Sequence, residues 1–174
     1  MKKLFNKLNV LALTLIFVGT FGASWAFAEK AVELPDGSKI PLPATCAICG
    51  MKSQDEAGIH GALVFSSGKV IPFDTTSELF KYWLSPETFG FKASDVKKAF
   101  VIDHESGKFV DAQKEVYVMG SKVHAVMGPE MYAFSNKAAA EKFIGDSKDK
   151  KLLAFSEVSL KDVTTKKKML KMKH

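Results

Sequence analysis

Arginine is absent: all 25 basic residues are lysine. Without the planar guanidinium fork the chain lacks the usual bidentate grip on phosphates and base edges, which argues against nucleic-acid recognition. Cysteine is scarce, two in 174 residues, so no network of disulfides can staple the fold. Low-complexity tracts, collagen-like triplets and heptad repeats are missing. So are Gly-x-Ser-x-Gly, His-Glu-x-x-His and phosphate-loop patterns, and with no catalytic constellation the chain is not expected to be an enzyme.

What remains is an ordinary globular composition, long enough for one domain with a real core or for two very small modules sharing one. The first 28 residues have the anatomy of a signal peptide. Lys2, Lys3 and Lys7 form the charged start, Val10–Phe21 the apolar run, and Ala26-Phe27-Ala28 the small-residue cleavage site. Cleavage is expected after Ala28, leaving the folded part in the periplasm with a net charge of +3 instead of +6. Contact with the membrane is expected only if this segment stays uncleaved as an anchor. A lipid anchor is excluded on chemistry, because the nearest thiol is Cys46, far beyond the apolar run.

Residues 29–45 contain Pro35, Gly37, Pro41 and Pro43 and read as an extended linker. A domain over 46–162 follows, divided into modules at about 46–95 and 96–162, and a basic flexible tail over 163–174 closes the chain. Strands are expected at 61–65, 69–73, 96–103, 116–118, 123–126, 131–134 and 152–158. Two helices are expected, one from Thr75 or Asp74 as N-cap to about Leu84, the other over Lys137–Ile144, capped by Ser135 or Asn136. The halves repeat weakly: a strand ends in Phe (Phe73, Phe134), a small polar residue caps, and an amphipathic helix carries a Phe inward (Phe80, Phe143). The fold class is therefore α+β, two small β-rich modules with one helix each sharing a core.

Both cysteines fall in Cys46-Ala47-Ile48-Cys49-Gly50-Met51. Two thiolates and a thioether are soft donors that prefer Cu(I), and Gly50 lets the chain turn so that Met51 can reach the same ion. Three other readings stay open. A structural zinc site would need ligands from His60, His104 or His124, at spacings that match no zinc finger. A thioredoxin-like pair would follow a strand and open a helix. A plain Cys46–Cys49 disulfide would close so short a loop that it would stabilise little. Among further donors, His60 stands between glycines at 58 and 61 in an exposed setting. Met119 and His124 are weaker candidates, Met131 reads as core and His104 as a turn residue. Met172 and His174 lie in the tail.

The order of Cys46-x-x-Cys49-Gly50-Met51, Phe73-Asp74, Val101-x-Asp103, Asp111-Ala112, Tyr117-Val118-x-Gly120-Ser121, Met127-Gly128 and Ala133-Phe134 resembles the NosL family, over roughly Cys46 to Val158. The resemblance implies a pair of small α/β modules and an extracytoplasmic Cu(I) carrier that serves a copper enzyme such as nitrous oxide reductase. A membrane copper exporter is a possible donor. It implies Cys49 and Met51 as copper ligands and Met127 as a thioether from the second module. The expected metal residues are thus Cys46, Cys49, Met51, Met127 and His60. The competing expectation is a thiol-disulfide oxidoreductase acting through Cys46 and Cys49.

Overall fold

The computed structural model of the protein describes residues 30–125 and 128–164, with the side chains of 121–129 left aside. The signal segment, Met127 and the tail residues Met172 and His174 lie outside the described residues.

The central strand explains the architecture. In β5 (Gly61–Phe65) all five residues are buried, so this strand is apolar on both faces and needs cover on both. It pairs antiparallel with β6 (Val70–Phe73) on one side and β7 (Val96–Ile102) on the other, and β8 (Phe109–Asp111) completes a sheet of order β6-β5-β7-β8. Leu63 and Phe65 point to a core that includes Phe73, Leu79 and Phe80, together with Tyr117, Met131 and Ala133 from the second half. Ala62 and Val64 point the other way, onto Val32, Leu34 and Ile40.

Those last three residues correct the reading of 29–45 as an extended linker. β1 (Ala31–Glu33) and β2 (Lys39–Pro41) form a hairpin whose buried Val32 and Ile40 face each other in register. Its apolar positions are too few and too close to its prolines to show a strand period in the sequence, yet the open face of β5 requires them. Val163, expected at the start of a flexible tail, is likewise fully buried at the end of the short helix α3 (Leu160–Val163).

Helix α1 (Thr76–Trp83) begins where β6 ends, with Thr75 as N-cap accepting the Glu78 N–H at 3.1 Å. It packs so closely on β5 that a Cβ on Gly61 would lie 2.8 Å from Leu79 Cδ1, a position only glycine fills without a shift. The second half is a sheet of order β10-β9-β11, built from β9 (Val116–Ala125), β10 (Gly128–Phe134) and β11 (Lys150–Ala154), with α2 (Lys137–Ile144) against it. The two short strands expected at 116–118 and 123–126 are one strand through Ala125. The strand expected at 152–158 stops at Ala154 and continues as a 3-10 turn. The division at residue 95 also moves, because β7 and β8 belong to the sheet of the first half.

The shared core holds as expected. Phe80 of α1 meets Tyr117 of β9 edge to face at 4.9 Å, and Met131 and Ala133 are buried against it. A bridge from Asp103 to Ala133 and the hydrogen bond His104 N to Ala133 O at 2.8 Å join the end of β7 to β10.

Candidate metal centre

The cysteine run is a hairpin loop. Residues Ala44–Thr45 (β3) pair with Lys52–Ser53 (β4), bringing the two ends of the run together. Cys46 N donates to Met51 O at 2.9 Å and Gly50 N to Cys46 O at 3.0 Å, with Gly50 at φ +75°, the left-handed region where glycine is at ease. A hydrogen bond from Ala47 N to Pro72 O lays the loop beside the end of β6. There Asp74, between Phe73 and the α1 cap, meets the thiols.

Ligand atoms of Cys46, Cys49 and Asp74 all lie within 4.8 Å of one another. An ion holding thiolates at about 2.3 Å spans donors up to about 4.6 Å apart, so this group is within about 0.2 Å of the size of one coordination shell. Both cysteines are free thiols. The Cys49 thiol donates to Asp74 Oδ2 at 3.1 Å, and the buried Asp74 Oδ1 has no hydrogen-bond partner among the described residues. An acceptor left over in a buried place is an unmet demand for a donor or a cation. Burial pushes the Cys46 thiol up to about 12; the Asp74 carboxylate favours its neutral form, while backbone N–H groups of Cys49, Asp74 and Ile48 work the other way.

Met51 is 48% exposed, the one large apolar side chain exposed among the described residues. With His60 and Asp74 it lines a cleft of about 740 Å³, which Glu130, Met131 and Tyr132 from β10 line as well. The cleft therefore sits at the junction of the two halves. His60 Nδ1 is 2.7 Å from the Asp74 carbonyl oxygen, which can only accept. Nδ1 therefore donates, and in the neutral ring this leaves the lone pair on Nε2, the tautomer of a metal-ready imidazole.

The structure thus brings Cys46 and Cys49 together with Asp74, and brings Met51 and His60 to the cleft that Asp74 also lines. The cysteines themselves do not line that cleft. Met127 lies outside the described residues. Met119 is half-buried on β9 opposite Met131, and Met131 is core, as read from its spacing. His104 stacks on Tyr132 with ring centroids 4.5 Å apart, and both line the cleft along with Met51. Asp74 was missed as a site residue. The sequence offered it as a helix cap and as part of the Phe73-Asp74 family match, with no ligand role, and its partner Cys49 is 25 residues away.

The family profile described as NosL matches residues 39–163. The copper-binding lipoprotein NosL of Stutzerimonas stutzeri is 29% identical over 104 residues, which cover 58% of this chain and 54% of that protein, so the match spans about half of the relative's length. The crystal structure of the copper chaperone NosL from Shewanella denitrificans superposes with a TM-score of 0.56 at 30% identity, covering 67% of this chain and 90% of that one. The solution structure of apo-NosL from Achromobacter cycloclastes shares 21% identity, with a TM-score of 0.44 over 60% of this chain and 89% of that one. With the profile spanning most of the chain and a crystal structure matching the same α+β fold, this protein belongs to the NosL family.

Proposed function

We propose that this protein is an extracytoplasmic Cu(I)-binding metallochaperone, a carrier and not an enzyme. The observation that carries the reading is the set of two free thiols and a carboxylate within 4.8 Å, beside a cleft with an exposed thioether. Membership of the NosL family and the relatives named for copper binding support it. Copper is the cargo. Cys49 and Met51 hold it, Cys46 and Met127 complete the soft donor set, and His60 offers Nε2. Asp74 orients the Cys49 sulfur through its hydrogen bond.

Transfer follows from exposure. Met51 is reached from solvent while Cys46 is 5% exposed, so an incoming soft donor displaces the thioether first and the buried thiol last. The acceptor in this reading is a copper enzyme such as nitrous oxide reductase, and the donor a membrane copper exporter. Export rests on the signal-like segment at 1–28 and on a relative named as a lipoprotein. Among the described residues no helix is long and apolar enough to cross a membrane. A thiol-disulfide oxidoreductase is less well supported. A thioredoxin-like pair opens a helix after a strand, whereas this motif sits in a hairpin loop between β3 and β4.

Titration of the reduced protein with Cu(I) against a chromophoric chelator tests this. Cys49→Ser, Met51→Ala and Met127→Ala should each compete at least about tenfold less well than wild type. If none does, the ligand set is wrong; turnover in an insulin-reduction assay would favour the oxidoreductase.

A further inference from the structure

Glu130 is a buried carboxyl that the copper ligands do not explain. It lies on β10 and is 7% exposed. Its Oε1 accepts the N–H of its own neighbour Met131 at 2.9 Å, then reaches across the junction to the Ser77 backbone N–H at 3.4 Å and the Ser77 hydroxyl at 3.5 Å. Ser77 is in the first turn of α1, three residues after Asp74. One carboxylate oxygen therefore ties the second half of the chain to the helix start that follows Asp74, the residue holding Cys49 by its side chain and His60 by its carbonyl. Glu130 also lines the cleft between those two parts. Burial pushes its carboxyl up to about 7; the N–H groups of Met131 and Ser77 and the Lys81 charge oppose that, and the Asp74 charge adds to it. A buried charge at that place is costly, and an apolar side chain could pack there without the penalty. The carboxylate gives instead a directional link between the two elements. A negative group at the first turn of α1 also suits the helix dipole.

We propose that Glu130 is a positioning residue: by tying β10 to the first turn of α1 it sets the width of the cleft between Asp74 and the strand that begins one residue after Met127. The proposal rests on the copper-carrier reading and deepens it, since a site completed from both halves needs its halves held at one spacing.

The test compares the reduced protein with Glu130→Ala, Glu130→Asp and Glu130→Gln, with Cys49→Ser as the control for the copper site. Two quantities are measured: Cu(I) competition against a chelator, and amide exchange of the metal-free protein. Alanine and aspartate both withdraw the acceptor from Ser77, and each should weaken Cu(I) binding about ten- to hundredfold, as loss of a group that orients a ligand does. Glutamine keeps Oε1 and should bind within about threefold of wild type. The Ser77 amide should exchange faster in the alanine and aspartate variants and not in the glutamine variant, while Leu63 and Ala99 of the central sheet stay protected.

Should Glu130→Ala fail to fold, Glu130→Asp, which keeps the charge and loses one methylene, carries the test. Wild-type copper affinity in Glu130→Asp despite a faster Ser77 amide overturns the proposal, and so does an equal loss in Glu130→Gln. Wild-type affinity in Cys49→Ser overturns the ligand set beneath it. That failure is told apart from failure of the link because the amide measurement needs no metal.

Discussion

At residues 70–83, and again at 128–144, a strand ends in phenylalanine, turns through two polar residues and starts an eight-residue helix capped by a side-chain oxygen. At the first corner Asp74 is buried and faces Cys49, and α1 is buried from Thr76 to Tyr82, including a Glu78–Lys81 ion pair of 2.7 Å. At the second corner Ser135 and Asn136 are exposed, and Ala140 is the one buried residue of α2. The carboxylate there belongs to Asp103, whose oxygens are taken up by the Ser135 N–H at 2.8 Å and by Ser106 N and Oγ at 2.8 and 2.6 Å. The same local design yields a structural corner where the carboxylate is satisfied. Where one carboxylate oxygen is left over beside two thiols, it yields a candidate site. Chemistry follows the surroundings of the corner, not its form.

The largest expected effect separates the two helices. Phe80 is fully buried against Tyr117 and Phe155, so Phe80→Ala should cost about 3–5 kcal/mol. Phe143 is half-buried beside His104 and Phe134, so Phe143→Ala should cost about 1–2 kcal/mol. Denaturant unfolding of the two variants measures the gap, and equal losses would break the contrast.

An intermediate effect concerns pH. Burial alone would raise the Asp103 carboxyl, but the Ser106 and Ser135 donors outweigh it and hold the group below its ordinary 3.8. A depressed carboxyl contributes stability that is full above its unfolded value and is lost as pH falls through the folded one. Asp103→Asn should therefore lower stability at pH 7 by about 1–3 kcal/mol, with the difference from wild type shrinking below about pH 4. Thermal melts at pH 7 and pH 3 check the sign. A difference that grows on acidification would contradict the assignment of Asp103 as the satisfied carboxylate of the pair.

The smallest effect compares the caps. Thr75 Oγ1 accepts from Glu78 N at 3.1 Å and Asn136 Oδ1 from Ala138 N at 2.9 Å. Each change to alanine should cost about 1 kcal/mol in stability. Only Thr75→Ala should also alter Cu(I) competition, because Thr75 follows Asp74 and lines the cleft. A matching change from Asn136→Ala would show that the corners are coupled after all.

Much of this protein is written locally. The β5–β6 hairpin, α1 and α2, their caps and the Phe-ended corners follow from hydrophobic period and capping chemistry within a dozen residues of chain. The soft donors of Cys46, Cys49 and Met51 follow from residue type alone. The tertiary structure decided the rest. It folded residues 31–41 over the open face of β5, assigned β7 and β8 to the first sheet, brought Asp74 to Cys49 across 25 residues, and joined Glu130 to Ser77 across 53. Such contacts leave no periodic trace, because each depends on a side chain far along the chain finding a buried polar group that needs it. That demand exists only once the strands have packed and water has been removed.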